Sequence, residues 1–264
     1  MTRITQFQTL PPFGGDQRAV AEVVRGIMNG KTNNTGKITL ATGNATTTTL
    51  YDERIGYESL IFFTPISSAA LSDSAPYGAF QDTTDQTAAA ANTAYAINFN
   101  TTDYSNNIYI SNSSRINVRN AGIYNLQFSA QLRNTDTQIH DIDIWLRKNG
   151  TNVSGTNGKV SVPNSHGGVD GRTLPAWNYV IELAANDYVE LVWSTSNTQV
   201  SLDFVPAGTT PAIPSTASII ATMQYIAPAA TDNLYVSSQQ QGQATITHWA
   251  NSTADKTYGY IIVG

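Results

Sequence analysis

The side chains best suited to bind a metal or move a proton near neutral pH are three histidines, His140, His166 and His248. His140 is followed by Asp141 and Asp143, and residues two apart on a strand project to one face, so this run invites a metal site. A solvated strand end accounts for the same residues, and no His-Glu-x-x-His or His-x-His spacing supports the metal. Glu53, Glu58, Glu182 and Glu190 could in principle supply an acid–base pair for sugar hydrolysis, but the sequence fixes no geometry for one. There is no cysteine, which removes thiol nucleophiles, thiolate metal sites and disulfides together. A Gly-x-Ser-x-Gly elbow and a phosphate-binding glycine loop are also missing. Ser165-His166-Gly167-Gly168-Val169-Asp170-Gly171 reads as a flexible loop at one end of a sandwich, with room for an ion or a glycan. We expect no catalytic residue, no cofactor and no metal. An enzyme acting on surface glycans is kept only as a remote alternative.

The elements that carry these residues follow from composition. Only 12% of the 264 residues are charged, against roughly 25% in a typical globular protein, so Thr, Asn, Ser and Gln must cover the polar surface. That argues against long surface helices and for short strands joined by turns. The net charge of −5 offers no basic stripe, so nucleic acid is not expected as a partner. The longest apolar run, Leu60-Ile61-Phe62-Phe63, is too short to span a bilayer, and the first residues lack the apolar stretch of a secretory signal.

One helix is expected. Asp16 is a good N-cap, Val20, Val23, Val24 and Ile27 follow at helical spacing, and Gly30 is a natural stop. Its apolar stripe is too short to be stable alone, so it must pack on its own domain or in a small bundle with sister chains. Period-two alternation begins after Lys31, with a Gly43-Asn44 turn and a strand at Leu60–Phe63 ended by Pro65. Ser72–Asp85 and the Ala-rich 88–91 read as loop or boundary. The best alternation follows, in Tyr124, Leu126, Phe128, Ala130 and Leu132 and again in Ile142, Ile144 and Leu146 before an Asn149-Gly150 turn. Eight or more such strands read as a sandwich. Short Thr-rich strands before residue 72 and after residue 230 are alike, which suggests one small domain split by an insertion. The expected fold is all-β, a sandwich inserted in a small split β domain and preceded by one short N-terminal helix. The boundaries are an anchor at 1–30, a base of 31–72 plus 229–264, and the inserted domain at 73–228.

Two resemblances add to this. Asn120-Ala121-Gly122-Ile123-Tyr124-Asn125-Leu126-Gln127-Phe128-Ser129-Ala130 resembles the Gly-x-Tyr strand of the tumour-necrosis-factor-like and complement-globular-head jelly rolls. In order behind it come Leu146-Arg147-Lys148-Asn149-Gly150, a block at 181–191 with Asn186 where that family has Gly, and a closing strand at Ser218–Tyr225. This resemblance covers about residues 76–226 and implies a jelly roll that assembles as a homotrimer through aromatic-rich faces. Trp145, Trp177, Tyr188 and Trp193 could supply such faces, or the sandwich core. The outer parts are similar to a small bacteriophage and prophage virion protein, through Pro11-Pro12-Phe13-Gly14-Gly15, residues 21–36, Thr247-His248-Trp249-Ala250-Asn251 and Thr257–Gly264. In that pattern the two parts adjoin through one short linker, whereas here a jelly roll lies between Leu71 and Asn233.

Together the resemblances imply a homotrimeric virion protein assembled in the host cytoplasm, a short fibre or knob-like decoration on capsid or tail. Phe7, Leu10, Pro11, Pro12, Phe13, Val20, Val23, Val24 and Ile27 would dock it on the particle. Asn164, His166, Asp170 and Arg172, with the Gly208–Ser215 loop, are the candidates to touch a host-surface glycan or protein. The partners expected are the chain itself, capsid or tail proteins and a host surface, without membrane insertion. A purely structural capsid cement without a receptor is the alternative.

Overall fold

A computed structural model describes Leu10 and residues 12–30, 32–71, 74–226 and 234–264. The described residues fall into two compact units, one formed by those before residue 72 together with Leu234–Gly264, the other by 74–226. The protein is all-β with one short N-terminal helix, α1 (Gln17–Met28), and a further single turn, α2 (Ser68–Leu71). That turn was not anticipated. Its cause is local: the Ser67 hydroxyl accepts from the Ala70 N–H (3.2 Å) and so caps it.

The base consists of two three-stranded antiparallel sheets. In one, Thr257–Val263 runs between Thr35–Thr39 and Leu60–Pro65; in the other, Gln243–Asn251 runs between Ala45–Tyr51 and Tyr235–Gln240. Both central strands come from the C-terminal stretch and three of the four edge strands from the N-terminal one. Neither stretch can therefore build a sheet of this base without the other. Ile38, Leu50, Ile246, Tyr258, Tyr260 and Ile262 form its core. Asn251 has no exposed surface and donates to the carbonyls of Leu40 (3.2 Å), Ala41 (3.1 Å) and Thr253 (2.7 Å). The Gly43-Asn44 turn has positive φ at both residues and carries the chain from the strand of one sheet to the strand of the other.

The inserted unit is a jelly-roll sandwich. One sheet runs in the order Ala176–Leu183, Gly122–Ala130, Ile219–Tyr225, Tyr77–Asp82, Thr101–Asn106, so spatial neighbours are far apart in sequence. A second is built around His140–Lys148 and Tyr188–Thr195, and a four-stranded sheet contains Leu132–Asn134 and Gly171–Thr173. The Gly-x-Tyr strand has a physical reason. Tyr124 is fully buried, donates to the Asn120 carbonyl (2.7 Å) and meets Tyr225 edge-on at 5.4 Å. The Tyr225 ring lies where a Cβ on Gly122 would stand, 2.0 Å away. Asn149, Gly150 and Asn186 all have positive φ.

The loop expected over Ser72–Asp85 is corrected by the strand Tyr77–Asp82, which pairs on both sides. Its inward positions are Gly78, Phe80 and Asp82, so only one large apolar residue marks the face. The Phe80 ring fills the space over Gly78.

Candidate functional site

The histidine–aspartate run separates in space. His140 turns to Asp136 (Nε2 to Oδ2, 2.6 Å), while Asp143 accepts from Asn157 (2.9 Å) and Lys159 (2.8 Å) and Asp141 from Ser161 (2.6 Å). The hydrogen bond from His140 holds the Asp136 carboxyl below its ordinary value. No group of three His, Cys, Asp or Glu side chains among the described residues could hold a metal ion. His248 is buried between Thr48 Oγ1 (2.8 Å) and the Trp249 carbonyl (2.7 Å). A carbonyl oxygen only accepts, so Nδ1 carries the proton of that bond. No helix of the described residues is long and apolar enough to cross a membrane.

Asn164, His166 and Asp170 lie on one connection, between Gly158–Val162 and Gly171–Thr173, and Arg172 lies on the strand that follows it. At its tip His166 and Val169 exchange backbone hydrogen bonds (2.9 and 3.0 Å) around Gly167 and Gly168, both at positive φ. Glycine takes positive φ at no steric cost, so the Gly167-Gly168 pair marks the tip in the sequence. Its root is specified by two residues that pattern reading does not single out. Asn134, with no exposed surface, donates to the Gln138 (2.8 Å) and Pro163 (3.0 Å) carbonyls. Gly171 is packed so closely that a Cβ would lie 1.8 Å from the Pro163 carbonyl oxygen.

His166 and Val169 are exposed at the tip, but Arg172 is not free. Its guanidinium pairs with Asp203, whose other carboxylate oxygen lies 3.0 Å from Arg133 Nη1. Asp203 is 1% exposed, and the two arginine side chains are the partners that meet it there. The Gly208–Ser215 connection is a small exposed hairpin, Gly208–Thr209 against Ala212–Ile213.

Among the aromatic candidates, Trp193 goes to the sandwich core and Trp177 packs on Phe128 with ring centroids 4.7 Å apart. Tyr188 lies under Arg115, 4.3 Å from the ring centre, and Trp145 donates to Asn152 (2.9 Å).

Helix α1 begins as expected, with the Ala19 N–H donating to Asp16 Oδ1 (2.8 Å), and it presents Val20, Val24 and Ile27 to solvent with Val23 half-buried. Leu10, Pro12 and Phe13 are exposed; Phe7 and Pro11 lie outside the described residues. Two further features belong to the base. A cleft of about 570 Å³ opens between the edge strands Leu60–Pro65 and Tyr235–Gln240, where Gln239 donates to the Tyr57 (2.9 Å) and Ser59 (3.0 Å) carbonyls. The second is the outer face of the sheet containing Leu60–Pro65. Phe62 is registered with Ile261 and Leu60 with Val263, and all four side chains are exposed.

No family model matches the chain, and no curated protein does.

Proposed function

We propose that the chain is a homotrimeric bacteriophage virion protein that docks on capsid or tail by its N-terminal segment and presents its inserted jelly roll for attachment to a host surface. The observation that carries the reading is α1. A capped, twelve-residue helix with β-branched side chains in solvent is not a stable end state, and an N-terminal apolar stripe of this kind suits docking into a larger assembly. The resemblance of the flanking parts to phage virion proteins supports the same reading. Attachment by a polar loop end such as 164–172 works through hydrogen bonds from amides, hydroxyls and the imidazole, which suits glycans and protein surfaces. Three linked heads exceed the affinity of one by about 10²–10⁴. Chemistry has no part in this function, and we assign the protein no enzymatic activity.

Deleting residues 1–30 tests the docking assignment. The truncated chain is expected to form trimers yet be absent from purified particles. Incorporation at the level of the full chain would overturn it.

A further inference from the structure

We infer that a small pocket on the inserted unit binds one pyranose ring of a neutral glycan; its use in attachment rests on the reading of that unit as an attachment head. The pocket has a volume of about 270 Å³ and lies between residues 82–87 on one side and Tyr95, Ala96 and Asn98 on the other. That is just under the roughly 300–1,000 Å³ of sites for drug-sized ligands, so the occupant is one ring and not a longer chain.

Two buried side chains bring unpaired polar atoms to it. Trp193 lines the pocket and is 1% exposed. A buried indole N–H ordinarily has a partner, and the other two tryptophans of this unit obey the rule, Trp145 donating to Asn152 and Trp177 to the Tyr179 hydroxyl. The Trp193 N–H donates to nothing among the described residues. It is not sealed in the core either, so it reaches solvent, and this pocket is the opening that Trp193 lines. Asp82, 3% exposed, lines the same pocket. Its Oδ1 accepts from the Thr84 N–H (2.8 Å), the Thr84 hydroxyl (2.6 Å) and Asn100 Nδ2 (3.3 Å). Its Oδ2 accepts from nothing among the described residues and is likewise not sealed off.

The rest of the lining is held in place with hydrogen-bonding capacity to spare. Asp85 gives Oδ1 to the Phe204 N–H (2.7 Å), and its Oδ2 is 3.8 Å from Arg133. The Gln86 side chain grips the Asn98 backbone at both N–H (2.8 Å) and carbonyl (3.0 Å), which leaves the Asn98 amide group unpaired at the rim. The Tyr95 hydroxyl is fixed by the Ala90 N–H (2.8 Å), and its ring stands 6.2 Å from that of Trp193. Donors, acceptors and an aromatic wall on one ring-sized space match sugar hydroxyls, which both donate and accept, and the apolar face of the ring. Two carboxylates exclude an anion. A metal cation would meet the indole N–H, and no group of three His, Cys, Asp or Glu side chains among the described residues could hold one.

The test follows the four indole N–H signals of the protein by NMR, with Trp193 assigned through its Overhauser contacts to the Tyr95 ring. The probes are the methyl glycosides of glucose, galactose, mannose, rhamnose and N-acetylglucosamine. At least one is expected to shift the Trp193 signal saturably, with a dissociation constant of about 1 mM for a single ring, and to leave the Trp145 and Trp177 signals in place. Thr87→Val and Asn98→Ala, at exposed positions whose side chains make no hydrogen bond among the described residues, are each expected to weaken that binding about three- to tenfold. A Trp193 signal that no glycoside moves overturns the site and leaves a pocket filled by water. A signal moved by calcium or tetramethylammonium and by no sugar overturns it in favour of a cation. Glycoside binding that these variants weaken while attachment to host cells is unchanged upholds the pocket and refutes its use in attachment.

Discussion

Arg172→Ala separates a structural arginine from a receptor-binding one. Asp203 is 1% exposed and shared by Arg172 and Arg133, while Arg172 itself is 42% exposed. Removing a fully buried partner costs about 3–5 kcal/mol, because the remaining charge is stranded. Here Arg133 stays, and water can enter where the Arg172 side chain was, so the loss is that of one charged hydrogen bond, about 1.5–3 kcal/mol. For a unit of this size each kcal/mol moves the melting temperature by about 2–4 °C, giving a fall of about 4–8 °C at the centre of the range. Arg172→Lys, which keeps the charge but loses the planar fork, is expected to fall between. His166→Ala, at the exposed tip of the same loop, should stay within about 0.5 kcal/mol of the parent. The assay is calorimetry of the three variants beside attachment to host cells. A melting temperature unchanged in Arg172→Ala, with attachment lost, would refute the argument and return Arg172 to the receptor candidates.

Further outcomes follow from the same structure. Gly171→Ala must move the Pro163 carbonyl from a 1.8 Å overlap, so it should destabilise the inserted unit by about 1–3 kcal/mol in a urea melt, whereas Gly167→Ala, with nothing near its Cβ, strains only its own turn. Asn251→Ala strands the Leu40 and Ala41 carbonyls inside the base and should cost about 1–3 kcal/mol there by the same measurement. The Arg54 guanidinium, with help from Tyr260, holds the Asp52 carboxyl well below the usual carboxylate range. Its contribution is therefore fully present above the unfolded value of about 3.9 and is lost as pH falls below that toward the folded value. Unfolding midpoints of the base should drop below about pH 4, and Asp52→Asn should flatten that drop while lowering stability at pH 7.

Much of the fold was legible where one physical rule acted alone. Tyr124, Leu126, Phe128 and Ala130 alternate cleanly because their strand has one buried and one wet face. Gly43-Asn44 and Asn149-Gly150 are legible because few residues tolerate positive φ. Tyr77–Asp82 was not, since Phe80 does the filling for Gly78 and the strand shows no apolar period. Leu60–Phe63 was read as a strand, yet a continuous apolar run ordinarily means burial on both faces, and here Phe62 and Leu60 face solvent. That mismatch appears only once register is known. The loop at 164–172 could be placed by its glycines, but not its anchors. Asn134 reaches Pro163 across 29 residues and Arg172 reaches Asp203 across 31, pairings that exist only after the sheets have assembled.

The claim on which the rest depends is that this chain works as three. Sedimentation equilibrium of the purified 264-residue chain tests it directly. The account predicts a single species of about 85 kDa, three times the 28.4 kDa chain. A stable species of 28.4 kDa would contradict it.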